Sequence, residues 1–364
     1  MRVPLAAPVG AGGTPLGSRD YLCLELAFSD GSAGIGFTYI GTVGALTALT
    51  ALREFFEDGL DELDAASPFD LQAALVAQTR IQGRAGILMN VVSALDIAVW
   101  DGLARRNGVS LAKLLGARVD AVEAYGSGGY YRTSDGISEL EPELESWQAL
   151  GFDKIKLKVR GDQTASEFRR LRMARDAVGP DGLVMLDFYH AYTEREPAWN
   201  FVAEAAAMTP YWIEDPFPAD DLASFAWLAR RSGLRLATGE FQSNALAFEH
   251  AGLIGATSVV QAEAPRCGGV SGWLHIADVA GRHGMTMAPC WFHHLHAHLV
   301  PSVPHGSFVE YFDGTAVLNF DELIDQRFVP DGGKLRIPEQ PGVGFDFDQQ
   351  ALKHFGIGHL ERRY

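Results

Sequence analysis

The stretch 151-GFDKIKLKV-159 decides the fold. It reads as a strand, and side chains alternate faces along a strand. Lys156 and Lys158 therefore point one way, while Ile155, Leu157 and Val159 point the other. Like charges repel, and taking an ammonium group out of water is costly. Two lysines side by side on such a strand need either water or a counter-charge. A surface strand supplies the first and a reaction centre the second.

The flanking sequence weighs against the surface. Short apolar runs recur from about residue 120: "VEAYG", "KIKLKV", "LVMLD", "YWIE", "LRLATG", "SVVQA", "MTMAP" and "SFVEY". Most are separated by stretches able to form a helix, such as "TASEFRRLRMARDAV" and "GVSGWLHIADVAGRH". Repeated βα units predict a parallel sheet, and eight of them predict a closed barrel, with an open α/β sheet as the alternative. All strands of a parallel barrel are buried, so the surface explanation weakens. Ahead of the barrel, "DYLCLELAFSDGSAGIGFTYI" (20–40) predicts a hairpin turning at "SDGS". Residues 44 to 115 are helical in period, most clearly in "NVVSALDIAVWDGLARR". The division expected is an α+β unit over 1–118, a barrel over 119–316 and a loop-rich tail over 317–364 that returns to the first unit.

The 364 residues suit one large or two linked domains. A net charge of −16 argues against nucleic acid or an anionic membrane as partner. Cys23, Cys267 and Cys290 are odd in number and far apart, which suits a reducing compartment. The opening "MRVPLAAPVGAGG" lacks the apolar core of a signal peptide, and no run approaches the roughly 18 apolar residues of a spanning helix. A cytoplasmic protein is expected, and a homo-oligomer.

Active sites of parallel barrels lie at the C-terminal strand ends. Three successive runs end there in a carboxylate: Asp187, Glu214 and Glu240, spaced by 27 and 26 residues. One such residue alone reads equally well as a helix cap. Three on adjacent strands need a cation, and a hard divalent ion such as Mg²⁺ fits oxygen ligands. A metal-bound carboxylate substrate has an acidified α-proton. A lysine near the cation, with its pKa lowered, can remove that proton, and its neighbour can neutralise the substrate carboxylate.

Together "KIKLK", the Asp187–Glu214–Glu240 series, "RCGGVSGWLHIA" and the closing "PGVGFDFD" resemble the enolase superfamily, in its mandelate racemase and muconate lactonizing enzyme branch. The resemblance covers nearly the whole chain. It implies a (β/α)₇β TIM-type barrel under an α+β capping domain built from the N-terminal third and the C-terminal tail. The first cap strand of the family usually begins several residues earlier, so a shortened start is expected. The resemblance further implies that Asp187, Glu214 and Glu240 bind Mg²⁺, that Lys158 is a base and Lys156 a carboxylate contact, and that Glu310 hydrogen-bonds the substrate.

Two departures bear on the reaction. The family's racemase-like members carry an Asp–His dyad on the opposite face; here Glu263 stands at the aspartate and Cys290 at the histidine. Racemisation needs acid/base groups on both faces, whereas β-elimination needs one base and assistance to a leaving hydroxide. An unperturbed thiol titrates near about 8.5, so Cys290 reads as an acid, a second base or a filler of the histidine's space. The expected activity is dehydration of an acid sugar, with racemisation or epimerisation as the alternative and non-catalytic ligand binding as a third reading. Tyr189, the "GAGGTPLGSRDY" loop with Arg19 and Tyr21, and Tyr130, Tyr131 and Arg132 are candidate substrate contacts. His293, His294, His296 and His298 read as a packed or solvated face, with His294 and His298 at metal-ligand spacing and His293 as a substitute for the missing dyad histidine.

Overall fold

The computed structural model of the protein describes residues 1–9, 16–60, 67–132, 135–314 and 316–362. The chain opens on an antiparallel sheet of β1 (Arg2–Val9), β2 (Leu16–Ala27) and β3 (Ala33–Gly41). β2 and β3 are the expected hairpin, with the Phe28 N–H donating to Ser32 O and Asp30 Oδ1 accepting from the Ser32 N–H. β1 was not expected, because Pro4 and Pro8 interrupt the sequence. It is an edge strand, where a missing N–H is tolerated, and Val3, Leu5 and Val9 turn inward on alternate positions.

Behind this sheet lies the helix Ile87–Arg106. β3 packs against its backbone so closely that a Cβ at Gly36 would lie 1.9 Å from Ala94 O, so only glycine fits there. This helix is long and apolar enough to cross a membrane, contrary to the sequence reading, but 83% of its apolar window is buried inside the protein. Its Asp101 joins the cap sheet and the tail, accepting from the Ile35 and Val343 N–H groups, while Asp96, accepting from the Ser271 N–H, and Trp100 Nε1, donating to Ser271 Oγ, tie the helix to the barrel.

All eight apolar runs become parallel strands: β4 (Ala121–Gly128), β5 (Lys154–Lys158), β6 (Leu183–Asp187), β7 (Trp212–Glu214), β8 (Leu236–Thr238), β9 (Val259–Val260), β10 (Thr286–Met287) and β11 (Val309–Tyr311). They pair in sequence order, β11 pairs with β4, and a parallel bridge between Met287 and Gly306 joins β10 to the start of β11. Seven helical connections separate the eight strands, giving the (β/α)₇β barrel. The tail adds β12 (Lys334–Arg336) antiparallel to β4. It also reaches the cap, where Asn319 donates to Val3 O and accepts from the Tyr21 hydroxyl.

Candidate active site

Side-chain alternation in β5 sends Lys156 and Lys158 to the barrel interior, and the register sets Lys158 beside Asp187 and Asp187 beside Glu214 on successive strands. Lys156 is 1% exposed. Its Nζ lies 2.7 Å from Glu214 Oε1, 2.7 Å from Glu310 Oε1 and 3.6 Å from Asp187 Oδ2. Lys158 donates to Asp187 Oδ2. The rings of Tyr130 and Tyr189 flank its ammonium at 5.4 and 5.5 Å.

The carboxylates are held in turn. Glu214 Oε2 accepts from Trp212 Nε1 at 3.1 Å and Gln261 Nε2 at 2.8 Å. Glu310 Oε2 accepts from the Trp291 N–H at 2.7 Å, and Glu240 Oε1 from Trp291 Nε1 at 3.1 Å. Asp187 Oδ1 accepts from the Tyr189 N–H at 3.0 Å. The backbone just past these strand ends is strained: Tyr189, His190, Asp215, Trp291 and Phe292 all have positive φ. Such conformations are costly outside glycine and cluster at functional sites.

Charge accounts for the titration of the cluster. Burial alone pushes Asp187 up, but Lys158 and Lys156 outweigh it and hold its carboxyl at about 2. Burial, then Asp187, pushes Glu214 well above an ordinary glutamate. Burial alone pulls both lysines down, yet Glu214 and Glu310 around Lys156, and Asp187 beside Lys158, hold both well above an ordinary lysine. The lowered Lys158 pKa expected from the sequence is therefore corrected, because its immediate neighbour is a carboxylate. Asp187, Glu214, Glu240 and Glu310 are all buried against two ammonium groups. With all four carboxylates ionised they exceed the two ammonium groups by the charge of one divalent cation, and an all-oxygen donor set suits a hard one.

On the opposite wall, Cys290 is fully buried and its Sγ donates to Gln261 O at 3.3 Å. Burial, then Glu240 and Glu263, pushes the thiol well above its ordinary value. Glu263 is buried, its Oε1 has no hydrogen-bond partner among the described residues, and burial pushes it up to about 8. Both shifts run toward the protonated form, which reads Cys290 as a proton donor rather than a second base.

The remaining candidates divide. Arg19 lies in β2 rather than in a loop, with its guanidinium 4.4 Å over the Trp291 ring and its Nε donating to Val317 O at 2.6 Å. Tyr21 is buried on Asn319, and residues 10–15 of the expected lid lie outside the described residues. Tyr189 is 37% exposed at the mouth. Tyr131 stands apart from the carboxylates: its ring packs on Arg160 and Arg170 at 3.8 and 3.7 Å, and its hydroxyl donates to Glu167. Its neighbour Tyr130 takes the place beside Lys158. His296 accepts from the Ala264 N–H and bonds Trp291 O, while His298 accepts from the Ala112 N–H and bonds Val343 O. Both are structural, which removes the His294–His298 metal pair. His293 packs on His294 and Tyr311, away from Lys158. Sequence reasoning passed over Arg266 in the "RCGG" segment. Its Nε has no hydrogen-bond partner among the described residues, and its charge is felt by Glu263 and Cys290.

The chain is similar to known proteins. Residues 139–351 match the family described as enolase C-terminal domain-like, and residues 1–116 match the mandelate racemase / muconate lactonizing enzyme N-terminal domain. The L-talarate/galactarate dehydratase of Salmonella typhimurium is 32% identical over 358 residues, which cover 96% of this chain and 88% of that protein. The D-galactarolactone cycloisomerase of Agrobacterium fabrum is 27% identical over 351 residues, 93% of this chain and 91% of that one. The crystal structure of the Salmonella dehydratase liganded with Mg and L-lyxarohydroxamate aligns with a TM-score of 0.87 at 30% identity, over 97% of this chain and 90% of that chain.

Proposed function

Because the chain belongs to the mandelate racemase / muconate lactonizing enzyme family, we propose that it is a Mg²⁺-dependent dehydratase of acid sugars. The observation that carries the reading is the pair of buried lysines locked against Asp187, Glu214 and Glu310 at the barrel mouth.

In this reading Asp187, Glu214 and Glu240 hold Mg²⁺. Bound there, the ion supplies positive charge to the substrate carboxylate and so acidifies the adjacent C–H. Lys158 takes the α-proton at Nζ. It does so as the neutral amine, once Asp187 is engaged as a ligand and no longer holds the ammonium protonated. Lys156, fixed by Glu214 and Glu310, faces the negative charge that develops on the substrate. The β-hydroxyl then leaves as the C–O bond breaks, and Cys290 on the opposite wall gives it a proton. One proton is removed, one is delivered, and water is lost.

The opposite wall carries an acid: burial, then Glu240 and Glu263, pushes the Cys290 thiol above its ordinary value, which suits the proton delivery that dehydration needs. Arg19 and Arg266 give the mouth positive charge in a chain of net charge −16, which suits a substrate with a second anionic end, as in the diacids named for the Salmonella relative. We further propose the division 1–118, 119–316 and 317–364, a cytoplasmic location and a homo-oligomeric assembly. The test is incubation with Mg²⁺ and a panel of aldaric and aldonic acids. A 2-keto-3-deoxy product from at least one of them supports the reading. An epimerised acid without keto product overturns it in favour of the isomerase.

A further inference from the structure

The mechanism leaves one buried polar cluster unused. His293 is 1% exposed, and neither ring nitrogen has a hydrogen-bond partner among the described residues. His294 is fully buried, its Nδ1 is likewise unpartnered, and its Nε2 lies 2.5 Å from Asp321 Oδ1. The two imidazoles stack with centroids 3.8 Å apart. One ligating atom from each of His293, His294 and Asp321 lies within 4.8 Å of the others. Tyr311, Phe320 and Phe328 surround the group with aromatic rings.

Leaving several ring nitrogens buried without partners is costly, about 1–3 kcal/mol for a typical polar group. A buried polar group normally has an explanation, and a bound ion is one. We propose that His293, His294 and Asp321 form a second metal site, distinct from the carboxylate cluster, that takes a borderline divalent ion such as Zn²⁺. Two imidazole nitrogens and one carboxylate oxygen suit such an ion better than they suit Mg²⁺. Metal–ligand bonds of about 2.0–2.2 Å draw the three atoms inward, which a rotation of the His293 ring supplies. Burial holds His293 well below an ordinary histidine, so its ring is neutral and one nitrogen offers a lone pair to an ion. Asp321, with its side chain 11% exposed, is the open edge where a fourth, water ligand enters.

The position gives the ion a role. His293 and His294 follow Trp291, which positions Glu310 and Glu240. Asp321 lies in the tail two residues after Asn319, which binds the cap. An ion here staples the tail to the barrel directly behind the catalytic mouth.

The test uses the full chain stripped of metal, with excess Mg²⁺ added to fill the carboxylate site, and titrates it with Co²⁺ and Zn²⁺. We expect one equivalent of Co²⁺ with the intense visible bands of a four-coordinate, nitrogen-ligated ion, displaced by one equivalent of Zn²⁺. Asp321→Asn, a mild change at a partly exposed position, and His293→Ala should each weaken binding at least ten-fold while leaving circular dichroism unchanged. Glu214→Gln should leave this binding intact. No Co²⁺ or Zn²⁺ binding above Mg²⁺, or full-strength binding in both Asp321→Asn and His293→Ala, overturns the proposal.

Discussion

Replacing Lys156 by methionine keeps most of the side-chain volume and removes its charge. With an effective dielectric near 20, each 2.7 Å contact to Glu214 and Glu310 carries about 6 kcal/mol of attraction, and the 3.6 Å contact to Asp187 about 5 kcal/mol. Desolvating the ammonium and its partners offsets most of this, so breaking such a buried pair costs a net of about 3–5 kcal/mol. Against a typical total of about 5–15 kcal/mol, the loss is large and shows as a lowered urea midpoint with little change in slope. It should depend on pH. Glu214 is already raised, and without the lowering effect of Lys156 it rises further. A carboxyl raised above its unfolded value destabilises the fold as pH climbs, so the loss should be larger at pH 8 than at pH 5.5. Tryptophan fluorescence in urea at both pH values, with EDTA present, measures it. A cost below about 1 kcal/mol at pH 8, or one independent of pH, would refute the assignment of Lys156 as the counter-ion of this cluster.

Other consequences are as direct. Mg²⁺ should raise the thermal midpoint of the wild-type protein, by the linkage that yields about 2.7 kcal/mol at a hundred-fold excess over Kd; Glu214→Gln should abolish most of that rise, as calorimetry with and without EDTA will show. Asp96, a buried residue of the Ile87–Arg106 helix, is pushed up to about 7 by burial. The folded state therefore holds a proton that the unfolded state releases above its ordinary carboxylate pKa, and stability should fall as pH rises from about 4 to about 7. Asp96→Asn should flatten that fall in urea titrations at successive pH values. Cys290→Ala should leave α-proton exchange within a few-fold and slow dehydration by about 10²-fold or more, the usual range for a positioned proton donor; equal loss of both activities would contradict the donor role.

What was legible in the sequence follows its periodicity. "KIKLK" alternates, so the shared face of Lys156 and Lys158 could be read directly, and the regular βα spacing placed Asp187, Glu214 and Glu240 on neighbouring strands. β1 was missed because two prolines mask an edge strand. Tyr131 was misplaced because the two consecutive tyrosines after β4 have no periodic signal to sort them; the structure turns Tyr130 to Lys158 and Tyr131 to Arg170. Arg19 was read into a loop, although pairing with Val3 of β1 makes it part of a strand. The direction of the lysine pKa shift depends on distances to carboxylates contributed by four separate strands, which no local pattern encodes. The roles of His296 and His298 depend likewise on Ala264 and Val343, each remote in sequence.

The central claim is that Lys158 removes the α-proton of a carboxylate substrate. It is tested most directly by proton NMR in D₂O with Mg²⁺, following the α-hydrogen of any acid sugar that the wild-type protein dehydrates, beside Lys158→Ala. The account predicts that loss of the α-hydrogen signal and formation of the 2-keto-3-deoxy product both fall by at least about 10⁴-fold in the variant, at the upper end for a lost catalytic base, while Mg²⁺ still raises its thermal midpoint. Retention of α-hydrogen removal in a folded, Mg²⁺-binding Lys158→Ala protein would contradict it.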